Sequence, residues 1–401
     1  MTLIVTGRER RNLSLLFLYF GVAVLCLASR TPDIKRNLNV NNGTYGVLVS
    51  LGAIGSVIAF MVIGQITHRV GVGNVLNVTG ILTFGSIAIV PHVHSPWIYV
   101  AINILLAAGF NSYNIALHHQ ALKRQELSGE KNIPRLHGAW SLGTLLTTLL
   151  SIAVTSHFSL AWHIDVLMAA LWIGSTISIY RMRPFLIRGS KEKTADEQIR
   201  IRDTWSMLSK DLYIGIAYCC AVMVEFSTND WVTLSSHQEI KASTTLSIVP
   251  YLIFILGMTI GRLGIHKLLV FKPETYWIRV SSRIGGAGFI VFLLLAKYFA
   301  SRNFAIAFTC EIIGFFIGGI CGSFFAGLLT QFANSRSSLP GGVVVAQIGL
   351  AISVLTFLVK IVISWVVQAT SITYGLMIPG ILMIALSQFK KLGPQEAARA
   401  Q

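Results

Sequence analysis

Apolar residues along this chain fall into long runs separated by short polar connections, the spacing of segments that cross a lipid bilayer. A transmembrane helix needs about 20 predominantly apolar residues, and such runs cover 12–31, 45–67, 75–91, 97–117, 136–157 and 161–182. Six more follow at 211–235, 243–266, 276–297, 303–330, 341–364 and 367–388. The pattern predicts twelve helices that alternate in direction through the bilayer, each closing its own backbone hydrogen bonds where no water can. The longest polar stretch, 183–210, contains Lys191, Glu192, Lys193, Asp196 and Glu197 and separates two halves, 1–182 and 211–401. Two six-span halves are the hydropathy pattern of parallel repeats, each built from inverted three-helix units. The sequence echo between them is faint: Gly64, His68 and Arg69 loosely answer Gly261, Arg262 and His266.

Composition narrows the class. Of 401 residues, 54% are hydrophobic and 12% charged, where a soluble domain carries about 25% charged residues. With a mean hydropathy of +0.68, too little polar surface exists to cover a globular fold. A soluble enzyme, a disordered regulator and a secreted disulfide scaffold are excluded. The net charge of +16 comes from 32 Lys and Arg against 16 Asp and Glu, and the basic residues sit between apolar runs, not on a nucleic-acid-binding face. With both termini inside, the inner connections carry 21 Lys and Arg and the outer ones 4, while the other seven, Arg262, Arg283 and Lys360 among them, lie within spans. That excess orients both termini toward the cytoplasm. Arg8, Arg10 and Arg11 precede a first span that reads as a retained signal anchor. The five cysteines lie in apolar runs without metal or disulfide spacing, and no phosphate-binding loop is present. No cofactor and no metal are expected.

A charge inside a membrane-crossing helix is costly and marks a functional candidate by default. Glu225 falls near the middle of the seventh run, with Asn229 one turn on and Asp230 about 140° round the helix. An apolar bundle disfavours the carboxylate, which makes Glu225 a candidate proton carrier; the competing reading is a structural carboxyl pinned to Arg or Lys. Asp230 is a second proton-coupling candidate or a structural lock near the outer rim. Asn111, Asn114 and His118 share one face of the fourth helix, with amide and imidazole groups suited to holding a polar ligand or to bridging helices. His137, Ser141, Thr144, Thr148, Ser151 and Thr155 line one face of the fifth, a pattern that favours close packing over a cavity wall. In the tenth, Gly314, Gly318 and Gly322 form a packing stripe, with Glu311 on the same face and turned to protein. Arg30, near the outer end of the first helix, pairs with Asp33 beside it or with Asp230 as an outer gate. Lys360 reads as snorkelling to the interface.

Several local patterns resemble those of one family. Gly64-Gln65-Ile66-Thr67-His68-Arg69-Val70-Gly71 is similar to the G-x-x-x-D-R-x-G signature of the major facilitator superfamily; Gly64, Arg69 and Gly71 match, and His68 stands at the usual Asp. Ala28-Ser29-Arg30-Thr31-Pro32-Asp33-Ile34-Lys35, His137-Gly138-Ala139-Trp140-Ser141-Leu142-Gly143-Thr144, Glu225-Phe226-Ser227-Thr228-Asn229-Asp230-Trp231 and Gly257-Met258-Thr259-Ile260-Gly261-Arg262 resemble the YbjJ-like branch of bacterial facilitators. The sequence departs at His118 and His119, near which that branch carries an acidic residue and a glycine. The resemblance implies an all-α membrane protein of the major facilitator fold, with twelve transmembrane helices in two six-helix bundles, in the cell inner membrane.

It also implies no enzyme activity but secondary active transport of a small solute by alternating access. With the residue readings above, Arg30, Asn111, Asn114, His118 and Asn229 become substrate-binding candidates, and Glu225 and Asp230 proton-coupling candidates. Gly64, Arg69, Gly71 and Arg262, at helix ends, become conformational gating candidates. A sugar-like or other polar metabolite is the favoured solute. The competing functions are proton-driven efflux of amphipathic compounds and a transporter-shaped sensor or assembly factor without flux. The expected partners are that small molecule, protons and membrane lipids, with no nucleic acid; the chain is expected to be a monomer. The orientation has a direct test: a cysteine placed by Ala195→Cys in the 183–210 connection should react with an impermeant maleimide only after the membrane is permeabilised.

Overall fold

The computed structural model describes residues 7–128, 133–190, 212–336, 341–390 and 392. Every regular element among them is helical. Among the described residues, eleven helices are long and apolar enough to span a bilayer: Gly7–Leu38, Asn42–Val70, Val72–His92, Pro96–Gln125, Arg135–Val154, Leu160–Phe185, Leu212–Gln238, Leu246–Leu268, Glu274–Phe299, Phe304–Arg336 and Gln347–Ala369. A twelfth apolar helix, Ile372–Leu386, has 15 residues and Pro379 inside it. They are numbered below as spans one to twelve in chain order.

Several spans differ from the plain helix of one bilayer thickness that hydropathy reports. Span one is a helix to Leu25, a 3-10 turn over Ala28–Arg30, and a second helix from Thr31, with Pro32 in the first turn where its missing N–H costs nothing. Span four belongs to a helix running on to Ser128, 33 residues in all, about 50 Å at 1.5 Å per residue and so longer than the hydrocarbon is thick. Span ten breaks at Ser323, between the helices Phe304–Gly322 and Phe325–Arg336.

The chain divides into two compact units, Met1–Val40 with Leu48–Gln198, and Asn41–Val47 with Ile199–Gln401. In the first, span one packs on five and six, two on four, and three on four and six. In the second, seven packs on eleven and twelve, eight on ten, and nine on ten and twelve. Adding six to each member of the first set reproduces the second. Exchanging spans one, two and three for four, five and six also maps the first set onto itself. Each unit is thus an inverted pair of three-helix repeats, and the two units repeat each other.

Lipid tails are as apolar as leucine, so these pairings rest on close van der Waals contact and interhelical hydrogen bonds. Glycine permits the approach. A Cβ on Gly21 would strike the carbonyl of Trp140, and one on Gly143 the carbonyl of Leu18. In the second unit a Cβ on Gly257 would lie 2.8 Å from the Phe316 carbonyl, and one on Gly319 would strike that of Phe254. The hydroxyls of span five turn inward on their own helix: Thr148 Oγ1 donates to the Thr144 carbonyl at 2.9 Å and Ser151 Oγ to that of Thr147 at 2.8 Å. Thr144, Thr148 and Ser151 are buried, the packing arrangement their spacing favours.

Between spans two and three the chain turns at Gly71, whose φ of +85° suits glycine. The segment after span six lies against this turn. Val72 N–H donates to the Ile187 carbonyl at 3.0 Å and Ser190 N–H to that of His68 at 2.9 Å. Buried Gln120 clamps the same segment, donating to the Phe185 carbonyl at 3.0 Å and accepting from Ile187 N–H at 3.0 Å. A Cβ on Gly71 would meet Gly189 N at 2.8 Å, whereas one on Gly64 would meet nothing within 4 Å. Gly71→Ala should therefore lower stability by about 1–3 kcal/mol through strain and overpacking, and Gly64→Ala by much less. Thermal unfolding of both variants in detergent, followed by tryptophan fluorescence, checks the order.

Candidate functional site

The second unit holds the densest polar cluster inside its spans. Glu225 is the midpoint of the 27-residue helix Leu212–Gln238. Its Oε1 lies 3.6 Å from the Arg262 guanidinium of span eight, at side-chain exposures of 27% and 35%, so neither group is fully enclosed by the fold. Arg262 Nε also donates to the Ser323 carbonyl at 3.0 Å. That carbonyl is available because span ten breaks there, and Gly257 and Gly261 bring span eight close enough to reach it. Tyr218, with its hydroxyl 3.4 Å from Thr330 Oγ1, lies within electrostatic reach of both charges. One turn along from Glu225, Asn229 Oδ1 accepts from the Tyr251 hydroxyl at 3.0 Å.

Asp230 faces a different partner. Lys360 Nζ of span eleven sits 2.7 Å from its carboxylate, and the same ammonium lies 5.5 Å from the centre of the Phe226 ring. An opposite charge on span seven, which reading Lys360 alone did not supply, thus holds the ammonium against its neighbour within the unit. Asp230 is not Arg30's partner. Arg30 takes the local one, with Nε 2.9 Å from Asp33 and Nη2 donating to the Phe158 carbonyl at 3.3 Å. Arg36 shares that aspartate at 2.5 Å.

In the first unit, Asn111 Nδ2 donates to Ser56 Oγ at 3.0 Å and so bridges spans four and two. His118 Nδ1 faces the Asn114 carbonyl at 2.9 Å, while its Nε2 is 3.4 Å from His137 Nε2. A ring nitrogen facing a carbonyl must donate, so a neutral His118 carries its hydrogen on Nδ1 and accepts at Nε2 from His137. The Phe17 ring lies edge-on to both, at 5.2 and 6.3 Å. Asn114 is half-buried beside them, and Arg69 is exposed in the last turn of its helix.

Sequence reasoning missed several charged groups. Glu9 and Arg124 form a buried ion pair, with Nε–Oε1 at 2.5 Å and Nη2–Oε2 at 2.6 Å. Arg124 falls in a predicted connection, but the helix continues past it. Glu239 accepts from the backbone N–H of Ile372 at 2.5 Å and of Thr373 at 3.3 Å, closing the N-terminus of span twelve, with Lys297 3.4 Å away. Glu311, which the sequence places on a face turned to protein, is indeed buried, and its two carboxyl oxygens lie 3.1 Å from Ser235 Oγ and 2.6 Å from Ser236 Oγ. No group of three or more His, Cys, Asp or Glu side chains able to hold a metal exists among the described residues.

The family model described as Major Facilitator Superfamily matches residues 11–339. The chain belongs to that superfamily. An uncharacterized MFS-type transporter of Yersinia pestis is 21% identical over 338 residues, covering 83% of this chain and 82% of that protein. The uncharacterized transporter y4wD of Sinorhizobium fredii is 22% identical over 347 residues, covering 83% and 84%. Among solved structures, a mutant form of the nucleoside transporter NupG superposes with a TM-score of 0.74 at 13% identity, covering 96% of this chain and 99% of that one. The D-xylose-proton symporter does so at 0.71 and 12% identity, covering 98% and 99%. This facilitator is therefore a multi-pass membrane transporter with no enzymatic chemistry.

The Asp230–Lys360 pair generates a test of its own. Removing one partner strands the other charge half-buried, while removing both does not. Asp230→Asn and Lys360→Met should each cost about 1–3 kcal/mol, and the double variant less than their sum. Chemical denaturation of the four proteins in detergent measures the coupling.

Proposed function

We propose that this facilitator is a proton-coupled secondary transporter that moves a small polar solute by alternating access across the cell inner membrane, with both termini cytoplasmic. The observation that carries the reading is the Glu225–Arg262 pair: opposite charges on spans seven and eight, 3.6 Å apart and partly exposed. A proton arriving on Glu225 cancels its charge and removes that attraction, while Arg262 keeps its bond to the Ser323 carbonyl. Because that carbonyl sits at the break in span ten, protonation loosens the tie between spans seven, eight and ten. Charge on one carboxylate thereby biases a packed, bistable element.

Polarity of the solute is supported by the chemistry of the candidate contacts. Asn111, Asn114 and His118 in the first unit and Asn229 in the second offer amide and imidazole groups that suit hydroxyls. The solved structures of the same fold include proteins described as a nucleoside transporter and a D-xylose-proton symporter, solutes of that polar class. Arg30, locked to Asp33, serves as a polar end to span one, and Asp230 as a lock to Lys360 with no direct part in coupling. Gly71, Arg69, Gly64 and Arg262 remain the gating set, with Gly71 fixing the turn and Arg262 joining the gate to Glu225. Placement in the YbjJ-like branch rests on the local motifs alone.

Glu225→Gln mimics the protonated acid. In proteoliposomes preloaded with a candidate sugar or nucleoside, it should keep solute exchange near the wild-type rate yet lose accumulation driven by an imposed pH gradient at least tenfold. Wild-type accumulation by the variant would make Glu225 structural and end the proton-carrier reading.

A further inference from the structure

Glu311 differs from the other acids set deep within the spans. Glu9, Asp33, Glu225 and Asp230 each face an arginine or lysine within 4 Å. Glu311 is 1% exposed, and among the described residues its two carboxyl oxygens meet the hydroxyls of Ser235 and Ser236, at 3.1 and 2.6 Å, and no base. Spans seven, eight and nine pack on span ten, and their nearer charges are already engaged. On seven, Glu225 faces Arg262, Asp230 faces Lys360, and His237 Nδ1 meets the Ala242 carbonyl at 3.1 Å. On eight, Arg262 is committed to Glu225, and His266 and Lys267 fall in the last turn of the helix. On nine, Lys297 bonds Ser371 at 2.8 Å and lies 3.4 Å from Glu239, while Glu274, Arg279 and Arg283 belong to the opposite half of that helix. Span ten itself carries no other charged residue before Arg336.

The acid nearest along the chain to its two serines is Glu239, just beyond the end of span seven, where Lys297 lies 3.4 Å away and the backbone N–H of Ile372 donates to it. A buried carboxylate with no countercharge lacks any source of compensation that lipid-facing helices can provide. A buried carboxylic acid has what it needs. Its O–H donates to one serine hydroxyl, whose own hydrogen turns to the helix backbone as mid-helix serines do, and its carbonyl accepts from the other.

We propose that Glu311 is a second proton-binding site, occupied in this conformation, which exchanges its proton with water through Ser235 and Ser236 on the side of Glu239. On release, the O–H bond breaks and the proton passes to water. Glu311 becomes a carboxylate that accepts from both serine hydroxyls. Ser235 and Ser236 lie four and three residues before Glu239 on the same chain, so the route from the buried acid to the half-buried Glu239–Lys297 pair is about one helical turn. The inference rests on the proton-coupled reading above but names a different residue, so each can fail without the other.

Infrared difference spectroscopy on the full-length protein in lipid tests it. Subtracting Glu311→Gln from wild type should reveal one carbonyl stretch of a protonated carboxyl. That band should shift in frequency in Ser235→Ala with Ser236→Ala, persist in Glu225→Gln, and vanish reversibly as the buffer is made alkaline while circular dichroism stays unchanged. Absence of the band shows Glu311 ionised and overturns the proposal. A band that persists at every pH short of unfolding shows a proton that never exchanges and overturns it equally. Loss of the band in Glu225→Gln would assign it to Glu225 and have the same consequence. The flux assay on Glu225→Gln stands apart from all three outcomes.

Discussion

Lipid solvates no charge, and this constraint organises both units of the protein. Four acids of the spans are matched by a base from a neighbouring helix or the next turn: Glu225 with Arg262, Asp230 with Lys360, Glu9 with Arg124 and Asp33 with Arg30, whereas Glu311 meets two serine hydroxyls instead. Each pair ties two segments that apolar packing alone would leave free to slide. The pairs differ in how tightly they bind. Glu9–Arg124 is bidentate and dry, suited to holding spans one and four together. Glu225–Arg262 is longer, single and more exposed.

Packing puts those pairs in place. Spans eight and ten approach at Gly257, Gly261 and Gly319, which lets Arg262 reach across to the carbonyl exposed at Ser323. A side chain at any of these glycines would separate the helices and remove the arginine from the break. The same glycine-mediated contact recurs at Gly21 and Gly143 between spans one and five. The repeated architecture thus supplies one kind of helix seam, and the presence of a charge beside it decides whether the seam is merely structural or can respond to protonation.

The two units repeat their span pairings but not their polar chemistry. The second concentrates carboxyls and their partners on spans seven to eleven, while the first presents amides and imidazoles on spans four and five. Charge is not confined to the second unit, since Glu9–Arg124 and Arg30–Asp33 belong to the first; what differs is which spans carry the polar groups.

Much of this was legible along the chain. Run lengths of apolar residues determined the helical class and the span positions, because a bilayer of fixed thickness admits only helices of about that length. The polar stretch after the sixth run pointed to two halves, and the local motifs to the superfamily. The sequence also picked out Glu225 and Asp230 as intramembrane acids, since any charge in an apolar run stands out. It did not determine their partners. Arg262 and Lys360, read one by one as a helix-end gate and a snorkelling lysine, acquired their roles only when spans eight and eleven were brought against span seven. The break at Ser323, the clamp on Gly71 and the burial of Glu311 under two serines were also decided by tertiary structure. The physical reason is the range of the forces. Hydropathy is summed over neighbours in sequence, whereas an ion pair or a hydrogen bond acts over about 3–4 Å between residues the fold alone brings together.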